Sequence, residues 1–172
     1  MKTKLFAHLG AIGMLSVGLL GGTATIPDSS NSFRAVLSGD VKAAISGSAI
    51  FGRVPGGPTA PDVFTVSLGA DSSDGAVLFT QPNSRTLKVG SYRISDGDGT
   101  EGSVQALVML GSSEQPRGVF RASAGTLTIT SISDYAITGL FSLEATGFLA
   151  STPGREDQRV SVSGSFSAQK SY

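Results

Sequence analysis

The chain has 172 residues, 13 Lys+Arg against 13 Asp+Glu, one histidine, and neither cysteine nor tryptophan. Balanced charge with basic residues scattered singly offers no stripe for a phosphate backbone, so nucleic acid is not an expected partner. Absent thiols close off disulfides and thiolate metal sites.

Residues 1–24 have a positive start (Lys2, Lys4), an apolar middle from Leu5 to Leu20 and a small-residue close, Gly22-Thr23-Ala24. Those are the three parts of a secretory signal, so cleavage after Ala24 and export to the periplasm or exterior of a bacterium are expected. The apolar run falls just short of the roughly 17–25 residues of a membrane-spanning helix. Gly10, Gly13 and Gly18 weaken it further as a helix. An uncleaved anchor is the alternative, and the only membrane attachment in view. Cleavage removes His8 with Lys2 and Lys4, leaving an exported chain with no imidazole and a slight acidic excess.

Residues 25–32 are polar, contain Pro27 and lack periodicity, which predicts a flexible lead-in before a β domain over 33–172. From there short apolar runs alternate with Gly, Pro, Asp, Asn and Ser clusters, the spacing of a sandwich or barrel. Strands are expected at 41–51, 63–68, 76–81, 87–94, 104–110, 118–122, around Leu127 and Ile129, at 135–146, and at 160–168. The nearly continuous apolar run 104–110 predicts a central strand buried on both faces. Within 135–146, Ile137, Gly139, Phe141, Leu143 and Ala145 share one face, while Leu140 on the other implies that this side is partly covered. The last run alternates most cleanly, with Val160, Val162, Gly164, Phe166 and Ala168 on one side and Ser161, Ser163, Ser165 and Ser167 on the other.

Ile45-Ser46-Gly47-Ser48 echoes Val162-Ser163-Gly164-Ser165, which suggests that the first and last strands are neighbours, hiding an edge or closing a barrel. The expected fold is all-β: a single antiparallel sandwich of about eight strands, with a closed eight-stranded barrel as the alternative. Its core is expected from Ile45, Phe51, Phe64, Val66, Leu68, Val77, Phe79, Val108, Leu127, Ile129, Phe141, Leu143, Val162 and Phe166.

Few residues invite chemistry. Alternate carboxylates with intervening glycines in Asp96-Gly97-Asp98-Gly99-Thr100-Glu101 suit a hard cation, so Asp96, Asp98 and Glu101 are candidate Ca²⁺ ligands. The same Asp-Gly pair is the ordinary hairpin signal between strands 87–94 and 104–110, and that reading is preferred. Asp71-Ser72-Ser73-Asp74-Gly75 gives the same choice. Glu144 interrupts a strand on its outer face; as a hydrolase carboxylate it would need a partner across a cleft. With His8 removed by the expected cleavage no Ser-His-Asp relay can be built, and Lys42, Lys88 and Lys170 lie in no nucleophile motif. Sugar platforms are limited to Tyr92, Tyr135 and Tyr172. Serines 161 to 167 and Thr126, Thr128 and Thr130 read as a solvated face, or else as hydroxyl ladders for a repeating surface such as ice, a glycan or a sheet edge. No catalytic, cofactor-binding or metal-ligating residue is assigned.

Gly125-Thr126-Leu127-Thr128-Ile129-Thr130, then Ile137-Thr138-Gly139-Leu140-Phe141-Ser142-Leu143-Glu144-Ala145, then Val160-Ser161-Val162-Ser163-Gly164-Ser165-Phe166 form a pattern over about residues 119–168. It resembles an uncharacterised group of small secreted or lipid-anchored bacterial β-proteins ending in a Gly-x-Phe strand and a Gly-Ser-Phe strand. The resemblance implies an exported bacterial β-domain and carries no functional residues; the chain lacks the lipid-anchoring cysteine of many such proteins. Together these readings predict an exported, non-enzymatic β module with a binding or structural role toward a protein or surface partner and no cofactor. The alternatives are a small-molecule carrier of the closed-barrel type and a carboxylate-based hydrolase of extracellular polymers.

Overall fold

The computed structural model describes residues 31–57, 62–81, 87–97, 103–152, 154, 155 and 157–171. Ten strands form one mixed sheet: β1 (Ser32–Gly39), β2 (Ala43–Gly47), β3 (Ala49–Val54), β4 (Val63–Leu68), β5 (Gly75–Gln81), β6 (Gly90–Ile94), β7 (Ser103–Gly111), β8 (Pro116–Ile132), β9 (Ala136–Leu149) and β10 (Gln158–Lys170). No helix is among the described residues. The all-β expectation holds, with ten strands in place of about eight.

Neighbour follows neighbour until the sheet returns on itself. β3, β4, β5, β7, β8, β9 and β10 are joined in turn, and β10 meets β3 again, closing a ring of hydrogen bonds in a sandwich- and barrel-like arrangement. The closing pair is parallel and short, Gln169 with Ile50 and Lys170 with Phe51. β1 lies along the remaining edge of β10, from Ser32 opposite Ser167 to Gly39 opposite Val160. β2 pairs with β1 and leads through Ser48 directly into β3.

The strand expected at 41–51 is therefore two strands, and its β2 part does not touch β10. β1 stands between them, an additional strand whose Phe33, Ala35 and Leu37 are buried directly after the polar lead-in. The guess that chain ends meet holds in another form, since β1 is the first strand and β10 the last.

Two further corrections concern β6, β7 and β8. β6 and β7 were expected to form a hairpin; they pair in parallel at Arg93–Ser103 and Ile94–Val104, and β6 runs antiparallel to β8. β7 is antiparallel to β5 on one side and, on the other, to the start of β8 beyond the 112–115 turn. β8 was expected as two strands because its inward residues change parity, from Phe120 and Ala122 to Leu127 and Ile129. A register shift between Ala122 and Ala124 explains the change, one extra residue turning the following side chains to the other face until a second shift between Ile129 and Ser131. β7 is central, as expected, but not buried on both faces: Leu107 is 38% exposed, because nothing described packs outside β5 and β7.

Inward-facing residues fill the ring. Every core residue expected above is buried, joined by Ile94, Val104, Phe120 and Val160. Phe79 of β5 meets Phe141 of β9 edge to face at 5.2 Å, although their strands are not neighbours, so aromatic packing spans the interior. Phe141 then lies 6.5 Å from Phe166 on β10.

Candidate functional site

The outer surface inherits the other half of each alternating strand. On β8 to β10 it is rich in hydroxyls, with Thr126 opposite Ser142 and Ser142 opposite Ser163. Ser91 and Thr128 hydroxyls lie 3.2 Å apart and those of Thr130 and Thr138 2.9 Å apart. The ladder does not continue as a uniform array. Leu140 sits between Thr128 and Ser165, and beyond them Arg34 and Val36 of β1 oppose Ser165 and Ser163. Of the serine row, Ser163 is exposed while Ser165 and Ser167 are buried. Leu140 is half-buried beside them, in line with the partial cover expected on this side.

Carboxylates are placed as structural turn and face residues. Asp71 accepts a hydrogen bond from Ser48 Oγ at 2.5 Å, and that bond holds its carboxyl below the ordinary aspartate value of 3.8. In the same turn the Asp74 amide donates to Ser72 Oγ at 3.2 Å, so the serine hydroxyl is the cap and the Asp74 side chain is exposed. Glu144 is exposed and accepts from Ser161 Oγ at 2.8 Å, tying β9 to β10. Of the candidate calcium loop, Asp98 and Glu101 lie outside the described residues; the Asp96 carbonyl accepts from Arg121 Nη2 at 2.5 Å. Among the described residues no three His, Cys, Asp or Glu side chains cluster as metal ligands.

Of the described tyrosines, Tyr92 and Tyr135 lie on separate parts of the fold. Tyr92 hydroxyl is engaged by the backbone of Lys88, accepting from its N–H at 2.6 Å and donating to its carbonyl at 2.9 Å. Tyr135 is exposed at the β8–β9 turn, and Tyr172 lies outside the described residues. Lys42, Lys88 and Lys170 are exposed, before β2, before β6 and at the end of β10.

Concave surface appears where strands end. One cleft of about 390 Å³ opens between the β1–β2 turn, the β4–β5 turn, the start of β8 and the end of β9, over Ile45, Leu110 and Leu149. A second, of about 310 Å³, sits at the opposite end over Phe51, Phe64 and Ile132, beside the parallel closure of the ring. A smaller groove of about 170 Å³ crosses the outside of β5 and β7 between Leu78 and Leu107. The first cleft has one carboxylate on its lining, Asp74, and the second has one, Asp134. Sequence reasoning missed the first cleft: Val41, Asp74, Arg117 and Leu149 come together only through strand ends remote in the chain.

No family model matches the sequence, and comparison with curated proteins and with solved structures found no match.

Proposed function

We propose that this chain is an exported, non-catalytic β module that acts by binding. The observation that carries the reading is the division of its side chains. The interior is packed with phenylalanine and aliphatic residues, while each of the two end clefts presents a single carboxylate over an apolar floor. Two carboxyl groups converging across a groove are the geometry a glycoside hydrolase uses. Neither end cleft has that geometry. An interior crossed by the Phe79–Phe141 contact favours ligands at the strand ends over an enclosed barrel cavity. The positive, apolar and small-residue parts of residues 1–24 support export, and the resemblance of the C-terminal strands to secreted bacterial β-proteins agrees with it.

The test has two arms. Expression in a bacterial host with fractionation and mass spectrometry should recover a periplasmic or extracellular product beginning at Thr25. Purified product incubated with bacterial and plant polysaccharides should release no sugar. A cytosolic protein retaining Met1 would overturn the export half. Sugar release abolished by Asp74→Asn, Asp134→Asn or Glu144→Gln would overturn the other half.

A further inference from the structure

The larger end cleft combines three features that no single strand supplies. Its floor is aliphatic, from Ala43 and Ile45 of β2, Leu110 of β7 and Leu149 of β9. Its volume of about 390 Å³ falls at the small end of the roughly 300–1,000 Å³ typical of ligand pockets. Its rim carries Lys42 and Arg117, both exposed and neither in an ion pair among the described residues.

Arg117 is rooted firmly. Its carbonyl accepts from Ala150 N–H at 2.8 Å, linking β8 to the end of β9. Its stem lies along Gly111, where φ is +82° and an added Cβ would stand 3.2 Å from Arg117 Cγ. Asp74 is the sole acid on the lining, so two cationic side chains face one anionic one.

Resting on the binding reading above, we infer that this cleft takes an alkyl carboxylate. The chain lies on the aliphatic floor, where each methylene leaves water. The carboxylate sits at the rim, where a planar guanidinium fork matches its two oxygens and the Lys42 ammonium adds a second donor. Excess positive charge disfavours an alkylammonium of the same length.

The experiment titrates the purified exported chain with octanoate, octylammonium and 1-octanol, following the methyl resonances of Ile45, Leu110 and Leu149. Octanoate should shift all three saturably and octylammonium should not. Lys42→Ala and Arg117→Ala should each weaken octanoate about fivefold, as partly exposed charge contacts do. Ala150→Trp, an exposed position that fills the mouth, should abolish the shifts while leaving the remaining spectrum intact. Absence of a saturable octanoate shift overturns the inference. So does 1-octanol binding as tightly as octanoate with Arg117→Ala indifferent. Either result leaves the non-catalytic reading standing, since that depends on turnover and on the mature N-terminus.

Discussion

Two glycines and two phenylalanines explain the repeated Gly-x-Phe pattern of the last strands. In the β9–β10 register Gly139 stands opposite Phe166 and Phe141 opposite Gly164, so each ring lies over the glycine of the other strand. A Cβ added at Gly139 would meet the Phe166 ring at 2.7 Å, and one at Gly164 would meet the Phe141 ring at 2.7 Å. Aromatic cover of a strand glycine stabilises an otherwise weak position, and here it is reciprocal. Gly139→Ala and Gly164→Ala should each cost about 1–3 kcal/mol by overpacking. Denaturant titration should show a lower midpoint at an unchanged slope. Asp71 is a milder case. Because the Ser48 hydroxyl lowers its folded value below 3.8, its stabilising contribution is complete above that pH and is lost as pH falls through the folded value. Ser48→Ala should move the Asp71 carboxyl titration, followed by NMR, back up toward 3.8.

Among the strands, β1 both fills the core and shields an edge. It buries Phe33, Ala35 and Leu37 and covers the edge of β10 from Val160 to Ser167. Burying the phenylalanine and leucine contributes roughly 3–6 kcal/mol, a large share of the ~5–15 kcal/mol of a typical domain. A chain beginning at Asp40 should lose that burial and leave β10 with unpaired backbone along an apolar strand, a template for association. Size-exclusion chromatography should show a shift to larger species or aggregate relative to the chain that retains β1. A monomeric truncation with unchanged thermal stability would contradict this account. β8 teaches a different lesson, since one extra residue near Ser123 lets a single strand serve two inward faces of opposite parity.

At the level of the molecule, the ring is strong on one side and thin on the other. β8 and β9 pair along most of their lengths, from Gly118–Leu149 to Ile132–Ile137, whereas closure through β3 and β10 uses the pairs Ile50–Gln169 and Phe51–Lys170. The closure has one reinforcement, Ser171, whose N–H and Oγ donate to the Phe51 carbonyl at 2.8 and 3.1 Å. Local opening free energy follows such differences in pairing and packing. Amide hydrogen exchange should therefore be slowest at Leu127, Ile129, Phe141 and Leu143, and markedly faster at the Ser171 amide, which donates across the closure. Uniform protection across both regions would show that the ring opens only by global unfolding.

Period-two alternation was enough to identify the inward face of β4, β5, β9 and β10, because the pleat is a local property of an extended backbone. Phe64, Val66, Val77, Phe79, Phe141 and Phe166 all point where that alternation places them. Which strand lies beside which was decided only by the tertiary structure, because pairing depends on hydrogen bonds between residues far apart in the chain. The local Asp-Gly signal therefore suggested a β6–β7 hairpin where β8 became the antiparallel partner of both. The end cleft belongs to the same class: Lys42, Asp74, Arg117 and Leu149 each look like ordinary residues near a strand end until closure of the ring brings those ends together.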